Sequence, residues 1–499
     1  MTVSGVSPSI SPLLQNILKI NSKLDDLQRQ LGTGQKADNY AGLGAQSGIV
    51  VALNAQLAAI SSYDDTMTNI GTSISIKQSV LQQIASVGST VQAATVLPKY
   101  AIDSTGQTSV QKTARDQLNQ ILSSLNTQGG NGYLFSGSGL NQPAVDTVDH
   151  ILNGNGSLAG LKQLIAERNQ ADLGANGLGR LVIPAAAGSI VSMNEDVAGS
   201  VFGLKLAGIN SSLTGATVTG PTGSPAAISV DLGATNPNNG DSVTFTFALP
   251  DGTSQTLTLQ ATTSTTPGAN QFTIGVSPAA TAVNLQAALT AGVGQIGSTS
   301  LSAASAMAAS NDFFDDPPQR VSGSPFTATA LVNGATANTV FWYTGDNSAA
   351  SIRSSAVARI DSSTVVSYGT QANEQGIRWI LQNVAVLAAT TYSTSDPNAS
   401  ASYSALNQRV YAGLGTPQGV QSIDDIEASL ANAQTSMSTA QSQHRQTTNT
   451  LSNMLQSIEG VDTAEVGTQI LSLQTALSAS LSTTARLSQI NLLAYLGRV

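Results

Sequence analysis

Cysteine is absent from the 499 residues, which excludes disulfides, Cys-ligated zinc and thiol catalysis. Histidine stands only at 150 and 444, too few for a three-His catalytic metal centre. Charged residues make up 10% of the chain, against about a quarter in an ordinary soluble domain. The 21 aromatics, 4% of the residues, are too few to fill one large compact core. The net charge of -9 argues against a nucleic-acid partner, because phosphate affinity rests on clustered Lys and Arg. Lys19 is the first basic residue, and the first turns carry Ser and Pro instead of an unbroken apolar stretch. No cleavable signal is therefore expected, and no apolar run is read as approaching 18 residues, so no membrane insertion is expected. Such a chain fits the cytoplasm, or export by a machine that threads unfolded polypeptide. Its length allows two to four domains.

What is present is helical periodicity at both ends. Ile10, Leu13, Ile17, Ile20, Leu24, Leu27 and Leu31 recur at alternating steps of three and four, a heptad seam that puts one narrow apolar stripe on a helix. Gly32 and Gly34 break it. A second seam runs through Leu53, Ile60, Met67, Ile74 and Leu81, interleaved with Tyr63, Ile70, Ile84 and Val91, and Pro98 closes it. A third helix is predicted over Val110 to Leu125. The C-terminal region mirrors this. Ile423, Ile426, Leu430, Ala433, Met437, Ala440, His444, Thr447, Leu451, Met454 and Ile458 form a seam on a helix roughly 50 Å long at 1.5 Å per residue. After Gly460 a last helix carries Val466, Ile470, Leu473, Leu477 and Leu481, then an apolar tail with Leu487, Ile490, Leu493 and Leu496. A shorter helix is predicted at Glu374 to Ala389. The stripes at the extreme ends have nothing inside one small domain to bury against, and isolated helices are marginal in water. Both ends look built to pack on each other and on neighbouring chains.

The middle, about 211 to 348, reads as strands at Ala227–Leu232, Ser242–Leu249, Gln255–Thr262 and Thr339–Thr344, with Leu249-Pro250-Asp251-Gly252 as a turn. Two short Ala-rich helices, near Thr281–Ala291 and Leu301–Ala309, interrupt the pattern. The expected fold class is mixed: a long coiled-coil-like α-helical bundle formed by both termini, with an inserted β-rich α+β outer domain. No solenoid period of 20–50 residues is visible.

Three segments resemble the bacterial flagellin family. Leu27-Gln28-Arg29-Gln30-Leu31-Gly32-Thr33-Gly34-Gln35-Lys36 is similar to its N-terminal signature of leucine, then Ser/Thr-Gly, then a basic residue. Leu471 to Leu477 and Thr484 through Leu496 are similar to its C-terminal signature. Gly132-Tyr133-Leu134-Phe135-Ser136-Gly137-Ser138 resembles a motif familiar from the hook–filament junction protein. Two departures stand out: Asp38-Asn39-Tyr40-Ala41-Gly42 replaces the usual paired aspartates, and the ending Tyr495-Leu496-Gly497-Arg498-Val499 matches the rhizobial-type branch better than the enteric one.

The resemblance implies a subunit that leaves the cell unfolded and uncleaved through the flagellar type III apparatus and polymerises outside it. The implied layout is an inner-core helix over 1–40, a helical stem over 41–210 with its return half at 349–459, a surface domain at 211–348 and a C-terminal inner-core helix over 460–499. The assembly residues are those of the terminal seams named above. The partners implied are the chain itself, hook-associated or junction and cap proteins, and an export chaperone. Head-to-tail contacts that do not close give an open helical filament. The alternatives are a junction protein, or a surface-binding module for carbohydrate carried on a filament.

Chemical motifs are few, and no enzymatic activity or cofactor is expected. Gly292-Val293-Gly294-Gln295-Ile296-Gly297 matches the dinucleotide fingerprint but follows a helix-like run instead of a strand, so a flexible turn is the simpler reading. Neither a Walker A sequence nor a Gly-x-Ser-x-Gly elbow occurs, and His-Glu-x-x-His is absent. His444 reads as a polar seam residue that tunes register. Asp312, Asp315 and Asp316 could hold a cation, but their spacing lacks the calcium-loop pattern, and a solvated turn before Pro317-Pro318 is the plainer reading.

Overall fold

The computed structural model describes residues 10–96, 99–130, 132–415 and 419–496. Pro98, expected to close the second seam, lies outside the described residues. Along the chain run the helices α1 (Ile10–Thr33), α2 (Ser47–Ala94), α3 (Ser109–Leu125), α4 (Val148–Asn153), α5 (Leu161–Leu173), α6 (Pro278–Ile296), α7 (Ser302–Phe313), α8 (Gln375–Ala389), α9 (Ala399–Gly413), α10 (Ile423–Glu459) and α11 (Thr463–Leu496). The chain divides into two compact units. The first holds residues 10–68, 359–365 and 435–496, and the second holds 69–358 and 366–434.

In the first unit the predicted seams become helices of the expected length. Val50 and Leu53 on α2 are buried, as are Met437, Ala440, His444 and Leu451 on α10. The α10 seam slips by one residue near its end. Thr448 and Leu455 are partly covered, while Thr447 and Met454 face out. A straight helix has 3.6 residues per turn, so a strict heptad drifts across its face over several turns.

The second unit carries the larger core. Two four-stranded sheets share it, in the spatial orders 271–273, 254–262, 242–248, 205–211 and 181–182, 190–195, 227–231, 217–222. Strand Ser254–Thr262 alternates apolar-in and polar-out, the pattern of a sheet with one buried face. Phe245, Phe247, Leu257, Leu259 and Phe272 from one sheet meet Val191, Met193, Ile228 and Val230 from the other, and α6 adds Leu285, Leu289 and Val293.

Residue 211 ends a strand that pairs antiparallel with 242–248, and three strands of the two four-stranded sheets begin upstream of it. The expected start of the β-rich segment at 211 is therefore revised upstream to about residue 181. A bulge between Leu206 and Gly208 explains why the earlier strand was not legible: it puts Leu206 and Ile209 three apart and hides the period of two. Thr339–Thr344 is not a strand; Thr339 and Tyr343 make isolated bridges to Ala159 and Val145.

The Gly-rich fingerprint is neither a nucleotide loop nor a turn. Gly292 and Gly294 lie inside α6, where a Cβ on Gly292 would stand 2.8 Å from the Leu257 side chain. Glycine there lets the helix approach the sheet. A five-residue π segment, Gly297–Leu301, then joins α6 to α7.

The Gly132–Ser138 motif is an internal tie. Phe135 is fully buried, its carbonyl accepts from Ala372 N at 2.8 Å, and Ser136 O accepts from Asp346 N at 2.9 Å. Gly137 has φ +66°, and a Cβ there would meet Asp346 O at 2.3 Å.

Candidate assembly interface

The terminal helices α1 and α11 pack against each other in the first unit. Leu24 and Leu27 meet Val466 and Ile470, with Ile20, Val461 and Leu473 at the margin. High numbers on α1 meet low numbers on α11, so the two run antiparallel. Leu13 and Ile17 on α1, and Leu477 on α11, are half-covered. Each buried Leu or Ile of this seam is worth roughly 1.5–3 kcal/mol.

Three expected seam residues stand apart from the stripe that the two helices share within the chain. Leu31 (44% exposed), Leu481 (51%) and Leu487 (43%) lie off the packed stripe. On α11 the covered positions step 466, 470, 473, 477, 480 and 484, so the seam continues through Ser480 and Thr484. The sequence reading chose Leu481 for its side chain, one position off the heptad. Ile10, Ile490, Leu493 and Leu496 fall in helical backbone, and their side chains lie outside the described residues.

The Leu27–Lys36 signature closes the open end of this helix pair. Gly34 takes φ +71°, a left-handed turn that glycine adopts without strain. The chain then folds back on the end of α10: Gln35 bridges Gly460, Lys36 N donates to Glu459 O at 2.7 Å, and Val461 N donates to Gly34 O at 3.1 Å. The Lys36 ammonium donates to Ser457 O at 3.2 Å and Ile458 O at 2.9 Å. A cation on the free carbonyls of a helix C-terminus also meets the negative end of the helix dipole. Arg29 joins Asp26 and Asp38 at 2.5 and 2.7 Å. Those hydrogen bonds, first to Asp26 and then to Asp38, raise its pKa above the usual value.

His444 holds its expected place on the α10 seam. Its Nδ1 lies 2.8 Å from Asp64 Oδ1, its ring is tilted against Tyr63 at 6.0 Å, and its buried Nε2 has no partner among the described residues.

The same helices expose apolar surface. Leu14, Leu18 and Leu471 are 58%, 60% and 65% exposed. Leu471, Leu473, Leu477 and Leu481 spread around α11 instead of sharing one stripe. A helix apolar on several faces is one that ends up surrounded, and within this unit α11 has α1 on one side. Ile49 and Val51 on α2 are also half-exposed. This corrects one reading: within Tyr40–Ala94 an 18-residue window reaches a mean hydropathy of 1.4, long and apolar enough by composition to cross a membrane. Leu, Ile and Val such as Ile49, Val50, Val51, Leu53, Leu57 and Ile60 supply most of the apolar character there, but Asn54 and Gln56 interrupt them, which is why no unbroken apolar run stood out.

The aspartates considered for a cation are parted in the second unit. Asp312 joins buried Arg168 at 2.5 Å, Asp315 joins Arg378 at 3.0 Å, and Asp316 accepts from Asn373 at 3.0 Å. Burial pushes the Asp312 carboxyl up to about 6 despite Arg168, and burial likewise raises Asp172, the second carboxylate on the same guanidinium.

The first unit thus holds a long two-helix terminus with unburied apolar faces, and the second is a separately cored β-rich unit. Residues 9–139 match the family model of the bacterial flagellin N-terminal helical region. This N-terminal match supports the bacterial flagellin family, a family of structural proteins of the extracellular flagellar filament. No curated protein matches the chain. Sequence reasoning missed Leu14 and Leu18, whose i, i+4 spacing was the available signal, and the carbonyl-capping role of Lys36.

Proposed function

We propose that this subunit polymerises through α1 and α11, which bury their remaining apolar faces against the same helices of neighbouring copies. The observation that carries this is the exposure of Leu14, Leu18 and Leu471 on a helix pair already packed along its other stripe. The chain is exported unfolded, a route that a cysteine-free sequence with a marginal terminal helix pair suits, and it folds fully on assembly. In the filament the β-rich region is the surface domain. Junction and cap proteins and an export chaperone complete its partners.

Between filament subunit and hook–filament junction protein we favour the filament subunit. The junction-like Gly132–Ser138 motif is spent on internal packing, and the β-rich region is longer than a minimal junction protein needs. Truncation after Arg486 tests the assembly reading. The protein should still be secreted and remain monomeric when seeded with filament fragments. Elongation at the wild-type rate would overturn the assignment of the C-terminal helix to subunit contacts. Immunogold labelling along the filament, against a short zone beside the hook, separates the two locations.

A further inference from the structure

We propose that a cleft in the second unit, between the Asp251–Gln255 turn and helices α8 and α9, binds a neutral saccharide. The cleft has a volume of about 390 Å³, inside the range of roughly 300–1,000 Å³ typical of small-molecule sites. Its floor holds Gln382, which is only 7% exposed. The Gln382 backbone carbonyl accepts from Ser310 Oγ at 2.8 Å. Its side-chain amide has no hydrogen-bond partner among the described residues and lines the cleft. The amide opens onto the cleft and offers a ligand hydroxyl both a donor and an acceptor.

The charge of the cleft selects the ligand class. Its charged lining residues, Arg409 and Asp251, pair with each other at 2.7 Å, and Arg409 also reaches Thr253 Oγ1 at 3.4 Å. The pair cancels, so the site offers no net attraction to an anion or a cation, and a phosphate or carboxylate ligand would find its guanidinium already occupied. The partly exposed indole of Trp379 forms one wall, fixed by its Nε1 donating to Gly413 O. An aromatic face suits the C–H side of a sugar ring, while amides suit its hydroxyls. Asn311 and Gln408 stand at the rim, and their side chains make no hydrogen bond within the described residues. The 211–348 segment alone lacks α8 and α9, so it would not contain this site.

The test is titration of the full-length monomer with glucose, galactose, mannose, N-acetylglucosamine, maltose and lactose, read by tryptophan emission and by ligand-observed NMR. Trp342 is buried, so a ligand-dependent change in emission reports Trp379. At least one neutral sugar should give a saturable response. Gln382→Leu should weaken it roughly tenfold, and Asn311→Ala and Gln408→Ala, both on the exposed rim, roughly threefold each. If Gln382→Leu does not fold, the rim variants decide. The proposal is overturned if no sugar saturates, if all three variants bind as wild type, or if glucuronate binds more tightly than glucose.

Discussion

The sandwich of the second unit and the terminal helix pair of the first are built from the same kinds of apolar residue to opposite ends. In the sandwich, two sheets and α6 close over Phe245, Phe247, Phe272 and Leu285, all fully or nearly fully buried. In the terminal pair, Leu24, Leu27, Val466 and Ile470 are the only buried residues among those described, while leucines at 14, 18 and 471 remain more than half exposed. The sandwich is complete within one chain. The helix pair has one stripe satisfied and others open, as expected of a part whose stability is shared among subunits. Burial inside the chain therefore identifies the folding core, and its absence on an otherwise ordered apolar helix is the ground for the proposed polymer contact.

The sharpest way to break this comparison is to charge the open face. Leu14→Asp with Leu18→Asp should leave the isolated chain's unfolding within about 0.5 kcal/mol, as for exposed sites, yet abolish seeded elongation, because a carboxylate is not buried cheaply at a contact. Calorimetry together with a sedimentation assay reads both arms. Normal elongation would show that the exposed leucines are ordinary surface.

A core cavity comes next. Phe245→Ala should cost the second unit about 3–5 kcal/mol, measured by denaturant unfolding. Leu27→Ala should cost about 2 kcal/mol and loosen only the terminal pair, seen as faster amide exchange confined to α1 and α11. A global transition from Leu27→Ala would mean that the two units do not differ in this way.

The pH dependence sharpens the energetic contrast. The Asp312 carboxyl is raised to about 6, above its ordinary value near 3.9. Between those values the folded state binds more protons than the unfolded one, so this group's contribution to stability rises as pH falls from about 7 toward 4. Other carboxylates act oppositely: Asp231, Asp241 and Asp346 are held below their usual range by hydrogen bonds. The difference between wild type and Asp312→Asn isolates the effect, on the order of 1–3 kcal/mol across that window. Parallel pH profiles would show that Arg168 fully compensates the buried charge.

The smallest expected effect is at the closing turn. Gly34 has φ +71°, and open space surrounds a Cβ built there. Gly34→Ala should therefore cost about 1 kcal/mol from backbone strain alone. A larger loss of thermal stability would show that the Lys36 cap on α10 depends on that turn.

The sequence by itself determined the helices and their partners' spacing. Alternating steps of three and four placed Leu24, Leu27, Ile470 and Leu473 on one stripe, because a helix repeats every 3.6 residues whatever surrounds it. It also determined the strands at 227–231, 242–248 and 254–262, whose side chains alternate. Tertiary structure alone decided which apolar residues are spent. Leu477 and Leu481 look alike in sequence, and only the position of α1 covers one and leaves the other open. It also decided that the strand ending at residue 211 joins the sheet, since a bulge removes the period that would reveal it, and that Gln382 lies unpartnered under a cleft. Such facts depend on which distant segments meet, and no local period encodes that.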